Sequence, residues 1–130
     1  MRSAYLATLL LVLAACTQAP PPATPPSQVF TLQSGKVVKI LRVTPLFSSS
    51  GERALMLSYE TEIPLDDKTA LGREADEVWE KFKFDVEAAH LDDAFIDANA
   101  KPLGTAFFNV NKSFHFQYKL GSDGQWLRQN

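Results

Sequence analysis

The apolar residues Leu71, Ala75, Val78, Trp79, Phe82, Val86 and Ala89 recur at steps of three and four, which places them on one stripe of an α-helix. Asp76, Glu77, Glu80 and Glu87 fall on the opposite side, so much of the acidic middle of the chain reads as one solvated helix face. On both flanks of this stripe the hydrophobic period drops to two. Residues 36–47 are rich in Val, Ile and Leu, and residues 53–62 alternate with Leu55, Leu57 and Tyr59 on one side. Between them, Ser48-Ser49-Ser50-Gly51 is hairpin turn chemistry. Downstream, residues 113–120 alternate most clearly, with Phe114, Phe116, Tyr118 and Leu120 opposite Ser113, His115, Gln117 and Lys119. Shorter strands are expected at 30–32, 94–98 and 103–110 and around Trp126 and Leu127. A one-striped helix and one-faced strands bury their apolar sides only against each other, so the expected class is α+β. The expected architecture is an antiparallel sheet of about five to seven strands packed on one long helix, in the order β-β-(β)-α-β-β-β.

Pro64 stops the second strand, and Asp66-Asp67 supplies an N-cap with negative charge at the start of the helix. Glu77 and Lys81 are spaced to pair on the exposed face, and Gly72 weakens the first turn. Phe84 alone breaks the pattern, projecting among the acids. Either the helix ends or bends near Lys83, or Phe84 is an exposed aromatic.

The first fifteen residues have a different logic. Arg2, an apolar run over 4–13 and the small pair Ala14-Ala15 form the layout of a secretory signal peptide, with a run too short to span a bilayer. The run ends in Leu13-Ala14-Ala15-Cys16, which resembles the lipobox of bacterial lipoproteins. That resemblance implies that the Cys16 thiol takes a diacylglyceryl group, that the bond before it is cut, and that the new amino group is acylated. Two or three acyl chains anchor stably without a spanning helix. By the same resemblance, Thr17 in place of aspartate favours the outer membrane, facing the periplasm, in a Gram-negative cell.

Residues 16–28 then form a linker, with Pro20, Pro21, Pro22, Pro25 and Pro26 favouring an extended polyproline tether. Eleven such residues reach roughly 35 Å. Residues 29–130 are long enough for a single small core. Cys16 is the only cysteine, so the exported domain relies on packing without a disulfide.

Charge is unevenly distributed. Residues 28–59 carry four Lys/Arg against one Glu, residues 60–97 four against thirteen acids, and residues 98–130 four against one acid. Lys36, Lys39, Arg42 and Arg53 on the early strands, with Lys112 and Lys119 later, would form a basic patch if their faces coincide. Such a patch suits anionic headgroups, cell-wall polymers or an acidic partner.

The inventory for catalysis is thin. His115 reads as an exposed strand residue, and His90 falls where a helix C-terminus favours a cation. The histidines lack zinc-site spacing, and Asp92, Asp93 and Asp97 read as a solvated loop, with Phe95 and Ile96 where a calcium loop needs ligands. The expected protein is therefore a non-catalytic envelope lipoprotein without a cofactor, binding an envelope protein or cell-wall partner; nucleic acid is excluded by export. Two alternatives stand beside it. One is a small-ligand or lipid pocket between helix and sheet, lined by Trp79, Phe82, Phe114, Phe116 and Tyr118. The other is a hydrolase using His90 or His115 with nearby carboxylates.

Overall fold

A computed structural model describes residues 28–102 and 112–130. The expected signal peptide, Cys16, the prolines of the linker and the strand expected at 103–110 lie outside the described residues. Six strands and one helix follow one another as β1 (Val29–Thr31), β2 (Val37–Phe47), β3 (Arg53–Thr61), α1 (Lys68–Ala88), β4 (Asp93–Ala100), β5 (Ser113–Leu120) and β6 (Trp126–Arg128). They form one sheet whose spatial order is the chain order, β1 to β6. The α+β class and the sheet packed on one long helix are as the residues predict.

The sheet is mixed, whereas an antiparallel one was expected: β3 and β4 run parallel, and every other neighbouring pair is antiparallel. The cause is the helix. It carries the chain from the end of β3 back to the other end of the sheet, so β4 leaves in the same direction as β3. Their register, Leu57 beside Ile96 and Tyr59 beside Ala98, lines up the apolar residues that meet the helix.

The β2–β3 turn is closed by the Ser48 N–H donating to the Glu52 carbonyl at 2.9 Å and the Gly51 N–H to the Ser48 carbonyl at 3.1 Å. Gly51 sits at φ +87°, a left-handed conformation that costs glycine little. β1 pairs only with the first half of β2, through Val29–Lys39, Phe30–Val38 and Thr31–Val37. A bulge between Ile40 and Arg42 follows, and the rest of β2 is a sheet edge among the described residues. An edge tolerates Pro45, which has no N–H to give.

Asp67 caps α1, its carboxylate accepting from the Ala70 N–H at 3.1 Å. The stripe Leu71, Ala75, Val78, Trp79, Phe82 and Val86 is buried as its spacing requires. It packs on Leu57 and Tyr59 of β3, Ala94, Ile96 and Ala98 of β4, and Phe116 and Tyr118 of β5. Ala94 and Ala98 are small enough to let the helix approach the middle of the sheet.

The helix runs past Lys83 to Ala88, so Phe84 is an exposed aromatic. Ala89, expected at the end of the buried stripe, is instead the half-buried C-cap. Beyond it His90 takes φ +55°; its N–H donates to the Glu87 carbonyl at 3.0 Å and the Leu91 N–H to that of Val86 at 3.2 Å. This is the Schellman arrangement, with histidine where glycine is usual.

Candidate functional site

The aromatic residues expected to line a pocket are packed instead into the interface of helix and sheet. Phe82, Phe116, Tyr118 and Trp79 are buried, and half-buried Phe114 packs edge-on to Phe116 at 4.9 Å beneath the Lys68 ammonium. Only Trp79 and Tyr118 reach a cleft, and they do so at its floor. Their rings stack at 4.5 Å with 9° between planes, and Trp79 also meets Trp126 edge-on at 4.9 Å.

That cleft, of about 380 Å³, lies between α1 and the hairpin of β5 and β6. Its walls are tied across the gap. The Trp126 indole N–H donates to Glu87 Oε1 at 3.0 Å, and the Tyr118 hydroxyl donates to Asp76 Oδ1 at 2.8 Å. Burial, with the Asp76 carboxylate beside it, pushes the Tyr118 phenol well above its ordinary value, so it remains a donor. Arg128 brings its Nε within 3.7 Å of Asp76 and lays its guanidinium on Gly72. A Cβ at residue 72 would displace that guanidinium, the mobile end of a partly exposed side chain. Lys83 pairs with Glu80 at 2.6 Å. Glu87, by contrast, is held by a neutral indole and has no cation against it among the described residues.

The sheet face away from the helix holds a second constellation. Register aligns Arg42, Ser58, Asp97 and His115 in one row across four strands. Asp97, expected in a solvated loop, is only 4 % exposed in the middle of β4. The correction follows from the alternation Ala94, Ile96, Ala98, which turns the intervening Asp97 onto this face. Asp97 Oδ2 accepts from the Ser58 hydroxyl at 3.2 Å and from the Asn99 amide at 3.1 Å. Its Oδ1 lies 3.0 Å from His115 Nδ1 without the alignment of a hydrogen bond. A serine nucleophile needs an imidazole against its hydroxyl. Here the carboxylate stands between them, and Ser58 and His115 are two strand spacings apart, roughly 9.6 Å.

The two histidines are not brought together. His115 is exposed on the face away from the helix, whereas His90 borders a shallow groove with Leu91, Leu120 and Trp126. Nor do the cations merge into one basic patch. Lys39, Arg42 and Lys119 share the face away from the helix, but Asp93 and Asp97 lie between them. Lys36 is bound to buried Glu74, whose other oxygen accepts from the Thr61 hydroxyl at 2.5 Å. Among the described residues no three or more His, Cys, Asp or Glu side chains are grouped to hold a metal ion.

Trp126 and Glu87 were not joined by the sequence. Trp126 follows an evident turn and Glu87 lies on the solvated helix face, but their meeting depends on where the hairpin crosses α1. No family model, curated protein or solved structure matches this chain.

Proposed function

We propose that this protein is an envelope lipoprotein, anchored by acyl chains on Cys16, whose α+β domain is a non-catalytic binding module. The cleft between α1 and the C-terminal hairpin is its binding site. One observation carries this choice: an aromatic floor of Trp79, Tyr118 and Trp126 meets the Glu87 carboxylate, which has no ion-pair partner among the described residues, the cleft's two cations Lys83 and Arg128 lying instead against Glu80 and Asp76. An indole face beside a carboxylate attracts a cationic group through both cation–π and Coulomb terms. The lipobox-like motif and the proline tether support the anchor. Immobilisation on a membrane raises the effective concentration toward neighbouring envelope components, which favours weak contacts of this kind.

A photo-crosslinking residue at Gln125, on the rim of the cleft, tests the site in intact cells. A discrete crosslinked species is expected, lost in Trp126→Ala and weakened in Glu87→Gln. Crosslinking that persists unchanged in both variants would move the binding site elsewhere.

A further inference from the structure

Among the described residues, the half of β2 beyond Ile40 is a sheet edge that carries several exposed apolar side chains. β1 stops pairing at Lys39, and the Gln28 carbonyl accepts the Ile40 N–H at 2.7 Å. Past that point Leu41, Val43 and Phe47 are exposed, Phe47 by 73 %. Soluble proteins usually charge or cover such an edge. Here charges lie on both sides of it: Lys39 and Arg42 point to the face away from the helix, whereas Arg53 shares the helix side with Val43 and Phe47, and between residues 37 and 59 the single acid is Glu52. None of the three cations has an ion-pair partner among the described residues. The place where the chain enters the domain adds a direction. β1 runs antiparallel to β2, so the chain preceding Gln28 begins at the Leu41 end of this edge, and Cys16 lies twelve residues back along it.

We propose that this edge is a membrane-docking surface for anionic phospholipid. Leu41, Val43 and Phe47 enter the boundary between headgroups and acyl chains, and Lys39, Arg42 and Arg53 meet the lipid phosphates. The proposal rests on the anchor reading, because acyl chains on Cys16 would hold the edge within roughly 35 Å of the bilayer, where modest affinity suffices. Strand addition by a peptide is less well served. Pro45 interrupts the donor pattern, and the exposed side chains offer apolar contact without a matching ladder.

The test uses the purified lipidated protein in vesicles, with Phe47→Cys carrying an environment-sensitive NBD fluorophore. Once Cys16 is acylated, the thiol introduced by that substitution is the one left free to take the label. An acyl mass on the N-terminal peptide is verified first, so failure of the anchor reading registers as a missing mass and is distinguishable from failure of docking. In phosphatidylcholine vesicles containing phosphatidylglycerol, NBD emission is expected to shift blue and to be quenched by nitroxide lipids. A label at Lys119→Cys should stay aqueous, and high salt should reverse the shift. Arg42→Gln with Arg53→Gln should lower the docked-to-free ratio about thirtyfold. NBD at residue 47 remaining aqueous in the anionic vesicles would overturn the proposal. So would shielding that follows protein density and ignores lipid charge, since that outcome means pairing with a second copy.

Discussion

Tyr59 and Tyr118 project from the same sheet face into the helix, but only Tyr118 finds an acceptor of good geometry. Tyr59 is buried beside the Glu74 carboxylate without a well-formed hydrogen bond to it. Removing a hydroxyl that donates to a charged group costs about 1.5–3 kcal/mol, whereas removing an unpaired buried one is neutral or stabilising. Urea titrations should therefore show Tyr118→Phe destabilised and Tyr59→Phe unchanged or more stable. Burial and the adjacent carboxylates raise both phenols above their ordinary value of 10.0. Above that pH the unfolded chain releases protons that the folded chain keeps, so stability falls as pH rises, by about 1.4 kcal/mol per pH unit for each tyrosine. Below it the contribution is fully present. Alkaline unfolding followed by tyrosinate absorbance should start above pH 10, and Tyr59→Phe should make its slope shallower.

At the scale of elements, α1 was legible because an apolar stripe running most of the length of a 21-residue helix leaves little ambiguity of period. Its N-cap was read at the pair Asp66-Asp67, of which the structure selects Asp67, and Asp67→Ala should cost about 1 kcal/mol. Its C-terminus was read at His90 with an end near Lys83 as the other option, and the left-handed turn there was not legible, because no glycine marks the left-handed residue. His90 pays roughly 1–2 kcal/mol for φ +55°, partly offset in His90→Gly by the entropy of glycine. Denaturant midpoints should show His90→Gly more stable by about 0.5–1 kcal/mol and His90→Val less stable. β4 was read too short and its acids too exposed, since Ala94, Ile96 and Ala98 make a weak apolar row. The parallel pairing with β3 depends on where the helix returns the chain, and periodicity carries no information on that.

Across the whole molecule, charge and apolar exposure are segregated. Acids concentrate on α1 and β4, and the β2–β3 hairpin is basic with an apolar edge. The separation of charge was readable from the sequence, yet the free edge was not, because it follows from β1 covering only part of β2. Likewise Trp79 and Tyr118 were legible as aromatic, but their stacking and the arrival of Trp126 needed the hairpin's position. Loss of Trp126 should loosen that hairpin: Trp126→Ala should speed amide exchange in β6 more than in β4, because β6 is short and, among the described residues, pairs with β5 alone.

The account depends most on Cys16, since both the binding reading and the docking edge assume a domain held at a membrane. The direct measurement is the mass of the N-terminal peptide from protein isolated out of bacterial membranes. The account predicts a chain beginning at Cys16 and carrying diacylglyceryl and amide-linked acyl groups, with no acyl label incorporated in Cys16→Ser. An unmodified Cys16, or acyl label retained in Cys16→Ser, would contradict it.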